Sequence, residues 1–451
     1  MKRVVFFIIM LACCVSAEAQ SQLDNYLTGT NTFTVIGTAS DNLTSPHDLD
    51  FVPGRPDEWW VLNKEANGGS IVIFFDAGKV TQSVQFRRDS HNEHFMARSV
   101  ALAMGDNGTF CSAQEIKNTA SASSTFMGPA LWSNDTSVFA RVNQNNWVTG
   151  QPLGSHLDML HQSPFGMGVA HDSANVYWYF DGYNGNICRY DFEMPHASGG
   201  DDHSDGRIYR YTDVSVVRKP NIPSHLTLDK QNSWLYIVDG GNNKILRLKT
   251  TSGIIGGNLA VPSTANEPLG SYKSVVNTTT EVVASTGLTS PCGIDYRSGR
   301  IIVSDNADGK IYIYDVTAMP AVLLGSINTG TAGIMGVRID DNNKIWFVNQ
   351  STKQLIRIDN PNVLAVPTVA SKKLDVIAYP NPAHDMITVK ANNIGASTIT
   401  VAITDIVGRQ VYKTTTRNST ANIDVSNWIK GIYALTVSAQ GGTVTQKIAV
   451  E

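Results

Sequence analysis

One pattern recurs through most of this 451-residue chain and restricts its fold more than any other feature. A Pro- or Gly-led segment is followed by a polar turn, a second apolar segment ending in Asp or Asn, a Gly/Asn-rich turn, and a third apolar segment. The first copy holds Pro46–Phe51, Trp59–Asn63 and Ser70–Phe74. Later copies are built on Pro164–Gly166 with Val176–Asp181 and Asn186–Tyr190, and on Pro223 with Leu235–Asp239 and Lys244–Leu248. Two more use Pro291 with Ile301–Asp305 and Lys310–Tyr314, and Gly333 with Ile345–Asn349 and Gln354–Ile358. The 118 residues from Asn63 to Asp181 leave room for one further unit, supplied less regularly around Ser99–Leu102 and Thr109–Ser112. All these segments have strand length and are rich in Ile, Val, Tyr and Trp, which suit a pleated, half-buried surface. The Asp or Asn before each turn can bond its own turn backbone and tolerates unusual φ. Several units carry a fourth strand, such as Arg207–Tyr211. Only 16% of residues are charged, which fits many short strands joined by tight turns.

Six four-stranded units with this rhythm resemble the NHL-type six-bladed β-propeller over about residues 30–368. Seven-bladed rings use similar rhythms, whereas an open β-solenoid would have shorter and more even repeats. Thr32–Gly37 is placed to close the ring against the last blade.

Beyond a short linker at 369–373 the rhythm changes. Tyr379-Pro380-Asn381-Pro382 precedes the alternating run Met386–Val389, then come Ile399–Asp405, Gly408-Arg409, Gly431-Ile432-Tyr433 and the terminal Lys447-Ile448-Ala449-Val450. Short alternating strands at this spacing predict a small β-sandwich over 374–451. The Tyr-Pro-Asn-Pro, Asp-x-x-Gly-Arg, Gly-Ile-Tyr and Lys-Ile-x-Val elements together resemble the type A C-terminal sorting domain of the type IX secretion system. That resemblance implies the type IX machinery as a partner, transport across the outer membrane, and cargo that ends on the cell surface or is released.

The N-terminus agrees with export. Lys2 and Arg3, the apolar run Val4–Val15 and Ala17-Glu18-Ala19 form the parts of a secretory signal over 1–19, with cleavage before Gln20. The run is shorter than the roughly 20 residues that span a bilayer. Leu11-Ala12-Cys13 also loosely matches a lipobox, so a lipid anchor at Cys13 stays open. No later stretch is apolar enough to be transmembrane. Loss of Lys2, Arg3 and Glu18 moves the formal charge from -4 to -5, which argues against a nucleic-acid partner. Cys111, Cys188 and Cys292 would remain, an odd number without Cys-x-x-Cys spacing, so a disulfide framework is not expected.

Two groups are candidate divalent-metal ligands. In a propeller the Pro/Gly starts and the Asp/Asn turns share one face around the channel. His47, His225 and Cys292 would then sit near its mouth, ringed by Asn63, Asp181, Asp239, Asp305 and Asn349. Imidazoles converging there could hold zinc and activate water. Asp and Asn at repeated turn positions are also explained by turn building alone. The second group is Asp201, His203 and Asp205 before Gly206, close to a calcium loop but with His at its middle position, which favours a transition metal. Pro223-Ser224-His225-Leu226 loosely resembles a metal-bearing strand of peptide-amidating lyases, which implies a role for His225 alone. Lactonase-type propellers would need a first-blade Glu that is not evident. The leading expectation is a secreted or surface-displayed propeller that binds a ligand through its channel face. The alternative is a metal-dependent hydrolase or lyase in the channel.

Overall fold

The computed structural model describes residues 21–364 and 375–451, apart from 56, 66–68, 89–95, 119–126, 140, 143–155, 197–201, 262–267, 393–397, 406–408, 417 and 440–441. The signal segment and the 369–373 linker lie outside the described residues. Two compact units divide near Leu364.

The first unit is a six-bladed β-propeller. Its blades start with the innermost strands Pro46–Phe51, Ser99–Met104, Gly166–Ser173, Leu226–Asp229, Pro291–Arg297 and Ile334–Ile339. Each innermost strand packs against that of the next blade, and the last packs against the first. Thr32–Gly37 supplies the outer strand of blade 6, antiparallel to Gln354–Asp359, so the two ends of the propeller are joined by a ladder. A short 3-10 turn, Gln22–Leu27, precedes that strand. It docks through Asp24, which accepts from Arg300 Nε and Nη2 at 2.7 and 2.9 Å, and through Tyr26, whose hydroxyl donates to the Asn343 carbonyl.

The second strand of each blade explains why the repeat lacks clean alternation. In Val176–Asp181, Tyr177 and Tyr179 face blade 2 while Trp178 and Phe180 face blade 4. Both sides of the sheet are buried, so both parities of the strand must be apolar. The same holds around the ring, which leaves six separate apolar cores, one in each seam between blades. In the closing seam, Trp59 of blade 1 stacks on Trp346 of blade 6 with ring centroids 4.3 Å apart.

A regularity not visible in the repeat concerns the long connections between third and fourth strands. From blade 2, Arg141–Val142 pairs onto the outer strand of blade 1, Ser83–Arg88. From blade 4, the hairpin Ile254–Asn258/Ser271–Val276 extends blade 3, with Ser271–Val275 parallel to Arg207–Tyr211. Each connection therefore reaches back to cover the outer edge of the preceding blade, which would otherwise expose unpaired backbone groups.

The second unit is a sandwich. One sheet contains Asp375–Tyr379, Met386–Asn392 and Thr420–Asp424; the other contains Gln410–Thr416, Ile399–Thr404, Gly431–Ala439 and Gly442–Val450. Alternate residues of the strands, among them Ile387, Val389, Val401, Ile403, Leu435 and Val437, fill its own core. Hydrophobic-in, polar-out alternation is what an antiparallel sheet with one wet face requires.

Candidate functional site

The Asp and Asn residues ending the second strands are buried and fully engaged in turns. Asn63 Oδ1 accepts from the Thr44 and Ser45 amides, Asp181 Oδ1 from those of Tyr183 and Asn184, and Asp239 Oδ1 from that of Val217. Asp305 accepts from the Thr289, Ser290 and Ala307 amides, and Asn349 Oδ1 from that of Thr352. Asn63, Asp239 and Asp305 thereby tether the connection entering their blades, while the bonds of Asp181 and Asn349 Oδ1 close the turn that follows their own strand. Cys292 is equally enclosed: its Sγ lies 3.4 Å from Ser304 Oγ, and burial pushes the thiol up to about 12.

His47 and His225 do lie at the axis, but in different surroundings. His225 is 1% exposed, and its ring reaches from blade 4 across to blade 2, with Nε2 3.0 Å from the Val100 carbonyl oxygen. Its Nδ1 is 3.4 Å from Asp48 Oδ1. Burial, then the nearby Arg338 charge, lower its pKa to about 3, so it is a neutral imidazole. His47 Nδ1 is 2.9 Å from the Ser45 carbonyl oxygen, and burial lowers its pKa to about 4. Among the described residues the two histidines do not join a third His, Cys, Asp or Glu in a metal-sized group.

The axis itself is crossed by Arg338, a residue whose importance the repeat did not signal. From blade 6 its guanidinium donates to the Ile294 carbonyl of blade 5 at 3.1 Å and the Leu102 carbonyl of blade 2 at 3.4 Å. It also pairs with Asp48 at 3.9 Å and Asp50 at 3.6 Å, both from blade 1. The two carboxylates in turn accept from the Leu102 and Met104 amides of blade 2. Burial raises both to about 6 despite the guanidinium, which acts to lower them. Asp295 repeats this arrangement from blade 5, accepting from the Ile339 amide of blade 6. Charges on otherwise apolar innermost strands were the available sequence signal. They bolt neighbouring blades together.

Two open spaces flank this packed axis. On the side of the Asp/Asn turns, a cleft of about 620 Å³ is lined by His47, Lys64, Glu65, Arg98, Asn306 and Gln350 together with neighbouring residues. A smaller cleft of about 250 Å³ at the other end is lined by Asp50, Asp295 and Arg338, among others.

The outer loop of blade 3 carries the second candidate group, Asp201, His203 and Asp205. Asp201 lies outside the described residues. Asp202 is exposed, and its Oδ1 accepts from the Ser204 amide and hydroxyl. Asp205 Oδ2 accepts from the Met194 amide, which closes the loop at its base. His203 turns inward and stands beside His156 and His196. Neither partner was among the sequence candidates: His156 is 47 positions upstream in another blade, where no local motif points to it.

Comparison with known proteins bears on the C-terminal unit most directly. Residues 377–451 match the family described as the secretion system C-terminal sorting domain. This unit is a type IX sorting domain. It marks the chain as cargo of the type IX secretion system, exported to the cell surface or secreted. The matched span begins within the sandwich strand Asp375–Tyr379. Among solved structures, the chain is similar to PorZ, a surface component of the type IX system of Porphyromonas gingivalis, at 12% identity and TM-score 0.37. The match covers 90% of this chain and 59% of PorZ, so the chain spans about three fifths of that protein's length. An auxiliary nutrient binding protein from Bacteroides ovatus matches at 10% identity and TM-score 0.46, over 74% of this chain and 77% of the other. A streptogramin B lyase matches at 14% identity and TM-score 0.41, over 73% and 97%. No curated protein matches the chain. Among the described residues, no helix is long and apolar enough to cross a membrane.

Proposed function

We propose that the propeller carried by the sorting domain is a binding module, which takes a polar ligand such as a glycan chain or a peptide at the mouth of its axis. The observation that carries this reading is the 620 Å³ cleft on the Asp/Asn-turn face. Its lining combines cationic Lys64 and Arg98, anionic Glu65 and the amides of Asn306 and Gln350, contributed by several blades. Such a surface offers donors and acceptors of both signs around a concavity, which suits hydroxyl- and amide-rich ligands. Hydrolase or lyase chemistry in the channel receives less support, because the imidazoles there are enclosed and Arg338 occupies the axis.

The test is binding of the purified chain to arrayed oligosaccharides and peptides, with Arg98→Glu and Gln350→Ala variants in parallel. Both residues line the cleft. Affinity for the captured ligand should fall at least about tenfold in each variant, the scale of one good polar contact. Binding that is indifferent to both substitutions would place the ligand elsewhere and refute the assignment of this cleft.

A further inference from the structure

The connection between the third and fourth strands of blade 3 spans residues 192–206. It reaches back to blade 2, as the corresponding connections of blades 2 and 4 reach back to blades 1 and 3. Those two are sewn down by backbone pairing. Here the contact is made by side chains. His203 Nδ1 lies 2.9 Å from Oδ1 of Asp158, in the outermost strand of blade 2. Gly206 packs so closely on Leu160 that a Cβ there would come within 2.3 Å of a leucine methyl. Around this contact three imidazoles converge, His156 from blade 2 and His196 and His203 from the connection, with ring centroids 5.3, 5.4 and 4.9 Å apart. One ring nitrogen of each lies within 4.8 Å of those of the other two.

We propose that His156, His196 and His203 form a transition-metal site, with zinc as the fitting cation, that staples the 192–206 connection of blade 3 to the outer edge of blade 2. An all-imidazole set selects a borderline metal, because calcium and magnesium require oxygen ligands. Nitrogens about 2.1 Å from a tetrahedral zinc stand roughly 3.4 Å apart, so side-chain rotations of about an ångström complete the site. Asp158 is its positioning residue. The Met159 amide donates to Asp158 Oδ1 at 2.6 Å and approaches His203 Nδ1 at 3.3 Å, and in the metal-bound tautomer Nδ1–H would donate to Asp158 Oδ1, 2.9 Å away, which leaves the Nε2 lone pair to the metal. A carboxylate holding the far nitrogen of a ligating histidine is the usual support of a zinc–imidazole bond. His156 and His203 are buried and His196 is half-buried, so the metal would be enclosed by the two blades, with its fourth position left to water.

The experiment uses the full exported chain without affinity-tag histidines, stripped with chelator and titrated calorimetrically with ZnCl₂. Parallel addition of CoCl₂ is followed by its visible d–d absorption. One equivalent of metal should bind, raise the unfolding temperature and slow proteolysis within 192–206. His196→Ala, at the most accessible ligand, should abolish stoichiometric binding while preserving the circular dichroism spectrum. Asp158→Asn should keep one equivalent but with affinity lower by about 10- to 100-fold. His384→Ala, in the sorting domain, should change nothing. Less than stoichiometric binding by the unmutated chain would overturn the proposal, as would binding undiminished in His196→Ala. Zinc that binds without protecting the loop from protease would overturn its role as a staple.

Discussion

If Arg338 holds the blades through the axis, replacing it should cost far more than removing a surface charge. Arg338→Met keeps much of the side-chain volume but removes the cation from beside Asp48 and Asp50. Asp48 is fully buried, and its carboxyl pKa of about 6 already reflects a balance between burial and the guanidinium. Asp50 sits in the same balance, at about 6. Breaking a buried pair by deleting one partner costs about 3–5 kcal/mol, because the remaining charge is uncompensated. The Ile294 and Leu102 carbonyls also lose their donor, at about 1 kcal/mol each. The single variant should therefore lose roughly 5–7 kcal/mol. Some of that loss is avoided by proton uptake at the two carboxyls, so it should be smaller at pH 5 than at pH 8. The triple variant Asp48→Asn, Asp50→Asn, Arg338→Met should recover most of it, since neutral amides need no counter-ion. Urea denaturation followed by tryptophan fluorescence reads this directly, because Trp59 and Trp346 sit in the adjoining seam. A loss below about 1 kcal/mol, the value of an exposed pair, would refute the reasoning. So would a triple variant no more stable than the single one.

Three further outcomes are expected. Trp346→Ala removes half of the stacked pair in the closing seam and should cost about 3–5 kcal/mol, measured by the same denaturation. His225 is neutral when folded, with a pKa of about 3 against 6.5 for the free side chain, so the unfolded chain binds the extra proton between those values. Its contribution is present above pH 6.5 and lost as pH falls toward 3, so His225→Asn should reduce the slope of stability against pH between 4 and 6 by about 1.4 kcal/mol per pH unit. An unchanged slope would show that His225 does not titrate as its burial requires. Truncation after Leu364 should leave the propeller folded, since each unit has its own core, but strand it in the periplasm of a host with the type IX machinery. Surface display of the truncated chain, read by external protease, would contradict that.

What the sequence made legible follows from how locally each feature is encoded. The blades were readable because each carries its own turn chemistry: Asp305 binds amides only 15 and 16 residues away, so its role repeats with the repeat. The sorting domain was readable for the same reason, as strands such as Ile399–Thr404 keep one wet face and alternate visibly. The closing strand was legible as a strand left over at one end. The axis was harder. Arg338 reaches Leu102 over 236 positions, and nothing local distinguishes a lone charge that crosses a channel from one that spoils a strand. His203 marks the limit of motif reading. Its neighbours in sequence, Asp201 and Asp205, suggested oxygen ligands, and of these Asp205 Oδ2 accepts from the Met194 amide at the base of the loop. The groups that approach its ring are set by how a connection lies on the preceding blade. That arrangement can be inferred only once the connections of blades 2 and 4 are seen to do the same thing with backbone pairing. A metal at His156, His196 and His203 would then be a third solution to the same edge problem, used where the connection is too short to form a covering strand.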